Sequence, residues 1–213
     1  METVKTRDGE GKNPWIRTAN GGRFYYLDFD GKQYDIDVAA TAMSRICRYG
    51  GHLKNTPEFA DEIYSVAQHS VYVYTLLKMK GAPTYTLPWA ISHDVPEAYF
   101  VDLPSPLKSI LPDYVKYENR SADAFRQTFG IPYDDNIEEY VKWADYQLYF
   151  TERRILTEVP QGEEDLSPAP EFSLFDIDPE FYMWRPKYAK ERFTQAWIEA
   201  MTLYREEKYA NAG

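Results

Sequence analysis

Four residues carry the chemistry this chain is best equipped to do: His69, the adjacent pair His93-Asp94, and Asp145. His69 lies on the apolar stripe of a strongly helical segment, three residues after Val66 and four before Val73. Asp94 comes three residues after Ile91 and four after Ala90, and Asp145 four after Val141 and three before Leu148. A carboxylate on a buried face is costly unless it is paired or bound to a metal. Two imidazoles and two carboxylates together suit a borderline or hard divalent ion: Zn, Co, Mn or Fe, with Mg as a further option. Neighbours on a helix point about 100° apart. His93 and Asp94 can therefore share only an ion held close to the helix, between the two directions. Taken singly these residues have ordinary readings, since a lone buried His is usually a hydrogen-bonded core residue and a lone buried Asp a cap or half an ion pair. Pattern alone leaves both readings open.

The stretch 91-ISHDVPEAYFVDLPSPLK-108 adds Glu97, Asp102 and Lys108. Glu97 follows His93 by four residues, one turn on if the helix persists through Pro96, and the residue before a proline avoids the α region. There it would serve as a general base toward water or a general acid toward a leaving oxygen. The prolines fix a rigid loop that would aim Asp102 and Lys108, although each also reads as an ordinary surface residue. Arg48 and Tyr49, ahead of Gly50-Gly51, would offer a guanidinium fork to phosphate and a ring to a base or sugar. Alternatively, Arg48 simply complements a helix C-terminus. His52 reads as a support for the ligands or as structural, and Glu152-Arg153 as an ion pair on a helix surface, with Glu152, two turns after Asp145, also placed to support that carboxylate.

These residues need helices to position them. Residues 22–36 read as a β-hairpin turning at Asp30-Gly31. A helix is expected from Asp35 to Gly50-Gly51, where the glycines end it. Further helices are expected over 61–80, about 84–94, 113–129, 135–157 and 186–207, with 158–180 as a surface loop. The expected fold is all-α: one compact helical-bundle domain over 15–208, a small N-terminal β-hairpin, and a flexible segment 1–14.

Composition bounds the rest. The chain has 213 residues, 44% apolar and 27% charged, which suits one globular domain. A net charge of −10 argues against a nucleic-acid polymer as partner. No apolar run is long enough for a membrane span and the first residues carry no signal-peptide core. The single cysteine, Cys47, argues for a reducing cytoplasm. The 19 tyrosines suit subunit contacts.

The spacing 69-H, 93-HD, 145-D resembles the HD-domain metal-dependent phosphohydrolases. VAQHS at 66–70, HDVPEAYFVDLPSPLK at 93–108 and VKWADYQLYFTE at 141–152 are similar to the 5′-deoxynucleotidase branch of that superfamily. DIDVAATAMSRICRYGGH at 35–52 and WRPKYAKERFTQAW at 184–197 are similar to its compact phage and bacterial members. Those members include dATP triphosphohydrolases of phages that replace adenine with 2-aminoadenine. The resemblance spans about residues 15–205. It implies metal ligands His69, His93, Asp94 and Asp145, catalytic carboxylates Glu97 and Asp102, and phosphate or sugar contacts from Arg48 and Lys108. The activity it implies is hydrolysis of dATP to deoxyadenosine and triphosphate. The alternatives are phosphate release from deoxynucleoside monophosphates, or a non-catalytic nucleotide-binding module. It also implies a homo-oligomer, dimeric or hexameric, in a bacterial or phage-infected cytoplasm. The chain departs from the family in LKNTPEFADEI at 53–63, a longer link between GGH and YSVAQHS.

Overall fold

A computed structural model describes residues 13–57, 59, 62–158 and 169–210. Most of segment 1–14, part of the link 53–63 and much of the loop 158–180 lie outside the described residues. Helices dominate, and the described strands form a single two-stranded antiparallel hairpin, so the fold is all-α with a small β-hairpin. Among the described residues no helix is long and apolar enough to cross a membrane.

The hairpin lies earlier than expected. β1 (Trp15–Arg17) pairs with β2 (Arg23–Tyr25), and Ile16 sits opposite Phe24. The turn falls at Thr18–Gly22, where Gly21 takes φ +85°. Asp30-Gly31 is no hairpin turn. The Asp30 carboxylate accepts from Lys32 N at 3.0 Å and caps a 3₁₀ turn, Gly31–Gln33. Asp serves both purposes, because its short side chain can replace a backbone acceptor either way.

α1 (Ile36–Met43) is capped by Asp35, which accepts from Asp37 N and Val38 N. It stops well short of Gly50-Gly51. Residues 46–48 instead run alongside 64–66: Arg48 N donates to Tyr64 O (2.9 Å) and Val66 N to Ile46 O (3.0 Å). A 3₁₀ turn, Arg48–Gly51, follows, with Tyr49 at φ +58°.

α2 (Val66–Met79), capped by Ser65, starts later than expected. It is buried almost all round rather than along one stripe: Val66 to Tyr74, Leu76 and Leu77 are all buried. Such a helix forms the centre of a domain, and it packs against α3 (Leu87–Ser92), α7 (Asp135–Leu156) and α9 (Pro186–Ala210). Its buried amide, Gln68, is satisfied by Tyr72 Oη, Tyr182 O and Trp184 N at 2.8–2.9 Å. Those contacts anchor the chain entering α9.

The expected helix 84–94 is a 3₁₀ turn (Thr84–Thr86), then α3, and it ends at Ser92. Pro96 cannot donate to a helical carbonyl. Residues 93–96 therefore form a tight turn, with Val95 N on Ser92 O (3.0 Å), before α4 (Glu97–Phe100). α5 (Ser105–Lys108) and α6 (Pro112–Phe129) follow, and Gly130 ends α6 at φ +64°. Within the expected loop, α8 (Leu174–Ile177) is closed by a capping box between Ser173 and Asp176.

The hairpin braces α4. Phe24, fully buried, stacks on Tyr99 with ring centroids 4.0 Å apart, and Tyr26 Oη donates to Tyr99 O at 2.9 Å. Tyr34 and Phe100 meet Phe24 edge-on. Each such aromatic pair adds about 0.5–1.5 kcal/mol beyond burial. Tyr99 lies two residues after Glu97, so the N-terminal ribbon fixes the helix that carries that carboxyl.

Burial of these tyrosines has a pH consequence. Desolvation raises the Tyr34 hydroxyl to about 12, against hydrogen bonds from Ser121 and Gln33, and burial likewise raises Tyr64, Tyr72 and Tyr99. Unfolded tyrosines ionise near pH ~10. Above that the folded chain holds more protons than the unfolded one, so stability is full below pH ~10 and falls as pH rises toward 12. Denaturant midpoints should drop steeply over that interval, and once the exposed tyrosines have ionised the remaining tyrosinate absorbance should appear together with loss of helical circular dichroism. Ionisation of all tyrosines while the helices persist would contradict this packing.

Candidate metal centre

Each histidine is fixed by one nitrogen and offers the other. His69, fully buried on α2, has Nδ1 2.6 Å from Glu152 Oε1. His93, at the C-terminal end of α3, has Nδ1 2.9 Å from Ala90 O. Both Nε2 atoms are buried and lack an aligned hydrogen bond. They face a shared space, with ring centroids 5.6 Å apart. Asp94 closes that space, with Oδ1 3.3 Å from His93 Nε2 and Oδ2 3.7 Å from His69 Nε2. One ligand atom from each of His69, His93 and Asp94 lies within 4.8 Å of the others, so this group could hold a metal ion. Histidine ligands commonly bond a carboxylate or carbonyl through the second nitrogen, which sets the tautomer, and both histidines do so here.

Asp94 belongs to the turn after α3, not to the helix. The tight 93–96 turn brings His93 and Asp94 to one centre. Asp145, on α7, approaches from the far side with Oδ1 3.0 Å from His69 Nε2. It stands beside the compact three-residue group rather than within it.

Glu152 corrects the reading of a surface ion pair with Arg153. It is fully buried. Its carboxylate accepts from Tyr64 Oη (2.6 Å) and Tyr49 Oη (3.1 Å), and Arg48 Nε lies 3.3 Å away. Burial raises its pKa, but the charges of His69 and Arg48 outweigh it and hold the carboxyl below its ordinary range. For His69, burial and Arg48 oppose protonation, yet Glu152 and the contact with Asp145 raise its pKa to about 10. The sequence did hold a signal. Asp145, Leu148 and Glu152 continue the three-four spacing of Val141, so Glu152 repeats the position of Asp145 seven residues on.

Arg48 and Tyr49 are committed to carboxylates. Arg48 Nη1 lies 3.4 Å from Asp94 Oδ2, which links the Glu152 cluster to the metal group, and its side chain is 12% exposed. Tyr49 stacks near Tyr149. His52 is exposed.

A cleft of about 620 Å³ opens onto the centre, and His93, Asp94, Asp145, Glu97 and Lys108 line it. Glu97 is 5% exposed and its Oε2 has no hydrogen-bond partner. Burial raises its pKa well above the carboxylate range, Asp94 and Asp102 add to this, and Lys108 and Arg48 oppose it. Lys108 Nζ bridges Glu97 (3.3 Å) and Glu118 (2.9 Å). Asp102 is half-buried, outside the cleft lining, and makes no hydrogen bond among the described residues. It follows Val101, whose φ of +62° belongs to the region that favours glycine. Such a backbone stores about 1–3 kcal/mol and persists only when its surroundings impose it.

Glu152→Gln keeps the shape but removes the charge that orients and neutralises His69. Metal affinity should fall roughly 10–100-fold, the usual cost of losing an outer-sphere partner, in competition with a chelating dye, with helical content retained. Glu152→Ala, which strands Arg48 beside the buried imidazole, should instead destabilise the fold by about 3–5 kcal/mol. Unchanged metal affinity in Glu152→Gln would contradict the assignment.

A scan against protein-family models finds no match. Over 142 residues, covering 67% of the chain and 72% of the relative, the chain is 37% identical to the uncharacterized protein YfdR of Escherichia coli (strain K12). That extent of identity places the chain in the same family as YfdR.

Proposed function

We propose that the protein is a metal-dependent phosphohydrolase of deoxynucleotides. One observation carries this reading: two buried Nε2 atoms without an aligned hydrogen bond converge with Asp94 and Asp145 beside a cleft that also holds a buried carboxyl, Glu97. Two imidazoles with carboxylates suit Zn, Co or Mn better than Mg, which prefers oxygen alone. A divalent ion held by His69, His93 and Asp94, with Asp145 beside them, would supply an acidified water and polarise a phosphoryl oxygen.

The chain's own groups do the remainder. Glu97, whose carboxyl burial and the neighbouring acids push up, is suited to give a proton to the departing 5′ oxygen. Lys108 fixes the Glu97 rotamer through its bridge to Glu118 and brings positive charge to the phosphate side. Arg48 balances Asp94 and Glu152, and so limits the negative charge the centre accumulates.

The cleft's charge bears on the length of the phosphate chain. Six acidic and three basic residues line it. The basic ones already face acids: Lys108 faces Glu97 and Glu118, Arg126 faces Asp123, and Lys142 faces Glu138. Among the described residues, no cation of this lining is left uncommitted to hold the outer phosphates of a triphosphate, which favours 5′-deoxynucleotidase action. Hydrolysis of dATP to deoxyadenosine and triphosphate is the second reading. The sequence resemblance supports it, and the cleft has room for a tail that carries its own cation. A non-catalytic binding module would leave the buried acid of Glu97 without a role. The exposed tyrosines of α7, Tyr140, Tyr146 and Tyr149, support self-association as a dimer or hexamer, and the reading places the enzyme in a bacterial or phage-infected cytoplasm.

The test is product analysis. Protein reconstituted with Zn, Co or Mn is incubated with each deoxynucleoside mono- and triphosphate, and the products are separated chromatographically. Orthophosphate from monophosphates is the expected result, and deoxyadenosine with triphosphate from dATP would establish the second reading. Glu97→Gln should lower kcat about 10²–10⁴-fold while metal binding survives. Inertness of the metal-loaded protein toward every nucleotide would contradict the proposal.

A further inference from the structure

The cleft continues past the metal group to an end with different chemistry. Three helices run along it in step. On α7, Glu138 precedes Asp145 by seven residues, about 10 Å of helix. On α3, Trp89 precedes His93 by one turn, and on α6, Arg126 follows Glu118 by about two turns. The cleft thus has a metal end, at His93, Asp145 and Glu118, and a far end, at Trp89, Glu138 and Arg126. Their separation is comparable to the span of a nucleoside from its 5′ oxygen to the outer edge of its base.

The far end is aromatic and charge-neutralised. The Arg126 guanidinium lies 3.6 Å from the Tyr133 ring centroid and 4.5 Å from that of Trp89. It is also paired with Asp123. Trp89 and Tyr133 meet edge to face at 5.7 Å. Trp89 Nε1 donates to Glu138 Oε2 at 2.9 Å, and Lys142 Nζ lies 3.2 Å from Glu138 Oε1. These cations are already compensated, which makes the end a poor site for a phosphate tail. Arg126 and Trp89 are themselves nearly covered, and the half-exposed Tyr133 ring that they back is the face left for a planar heterocycle. Glu138 is held in one orientation, yet it can accept further hydrogen bonds, because a carboxylate has about four acceptor positions.

We infer that the far end of the cleft is a nucleobase subsite, with Tyr133, backed by Arg126, as its stacking wall and Glu138 selecting bases that bear an exocyclic amino group. This deepens the phosphohydrolase reading and rests on it. Adenine, cytosine and guanine present N–H donors to Glu138. Thymine has no amino group: it offers a single N3–H flanked by carbonyl oxygens, so it makes fewer hydrogen bonds to Glu138 and turns a carbonyl oxygen toward the carboxylate.

The experiment measures kcat/KM for dAMP, dCMP, dGMP, dTMP and base-free deoxyribose 5-phosphate, with metal-loaded wild type, Glu138→Gln and Tyr133→Leu. Wild type should favour the amino-bearing bases over dTMP roughly tenfold or more. Glu138→Gln should compress that ratio, because the amide can also donate. Tyr133→Leu should raise KM for all four nucleotides with little change in kcat, and leave deoxyribose 5-phosphate unaffected. Equal treatment of all bases by wild type, or equal losses on the base-free substrate, would overturn the subsite while leaving the phosphohydrolase standing. Tryptophan fluorescence titration with the same nucleotides reads binding if turnover is absent. Base-dependent affinity that changes in the variants supports the subsite. No turnover and no binding would overturn both readings.

Discussion

A fully buried carboxylate, Glu152, sets the terms for this structure. An ionised acid without partners in a protein interior costs several kcal/mol, so the chain must bring partners to it. They come from two separate places, Arg48 and Tyr49 from the turn after α1 and Tyr64 and His69 from the entry and start of α2, and meet the acid on α7. The pairing of residues 46–48 with 64–66 sets the register that makes this convergence possible. Satisfying Glu152 and assembling the centre are thus one event. Once Nδ1 of His69 is committed, Nε2 faces His93 and Asp94, and Arg48 ties the two carboxylates together.

The same economy governs the acid end of the cleft. Glu97 sits on a helix of one turn, which has little stability alone. Its position is held from outside by the stack of Phe24 on Tyr99, the bond from Tyr26 to Tyr99 O, and the bridge from Lys108. The β-hairpin therefore acts at a distance on the carboxyl that we propose as the proton donor. The unfavourable φ of Val101 falls between Glu97 and Asp102, in a loop whose geometry is imposed by packing rather than chosen by the backbone.

What the sequence made legible follows from how local each signal is. The all-α class and the positions of α6, α7 and α9 could be read because periodicity and caps are local. His69 and the His93-Asp94 pair stood out because polar groups on apolar stripes are rare. Glu152 was hidden by its neighbour: beside Arg153 it looks like half of a surface pair, and only its seven-residue step from Asp145 marks it as buried. Asp94 looked helical because the effect of Pro96 on the preceding turn depends on what that turn packs against. Arg48 looked free because its partners lie 46 and 104 residues away. Asp30-Gly31 misplaced the hairpin because the same dipeptide caps a 3₁₀ turn.

The central claim is that His69, His93 and Asp94 form one metal centre whose imidazoles bind through Nε2. X-ray absorption at the metal edge of the Zn- or Co-loaded protein tests it most directly. The account predicts a nitrogen and oxygen first shell, with the outer-shell scattering of two imidazole rings per metal and no sulfur. A shell without imidazole, or one containing the sulfur of Cys47, would contradict it.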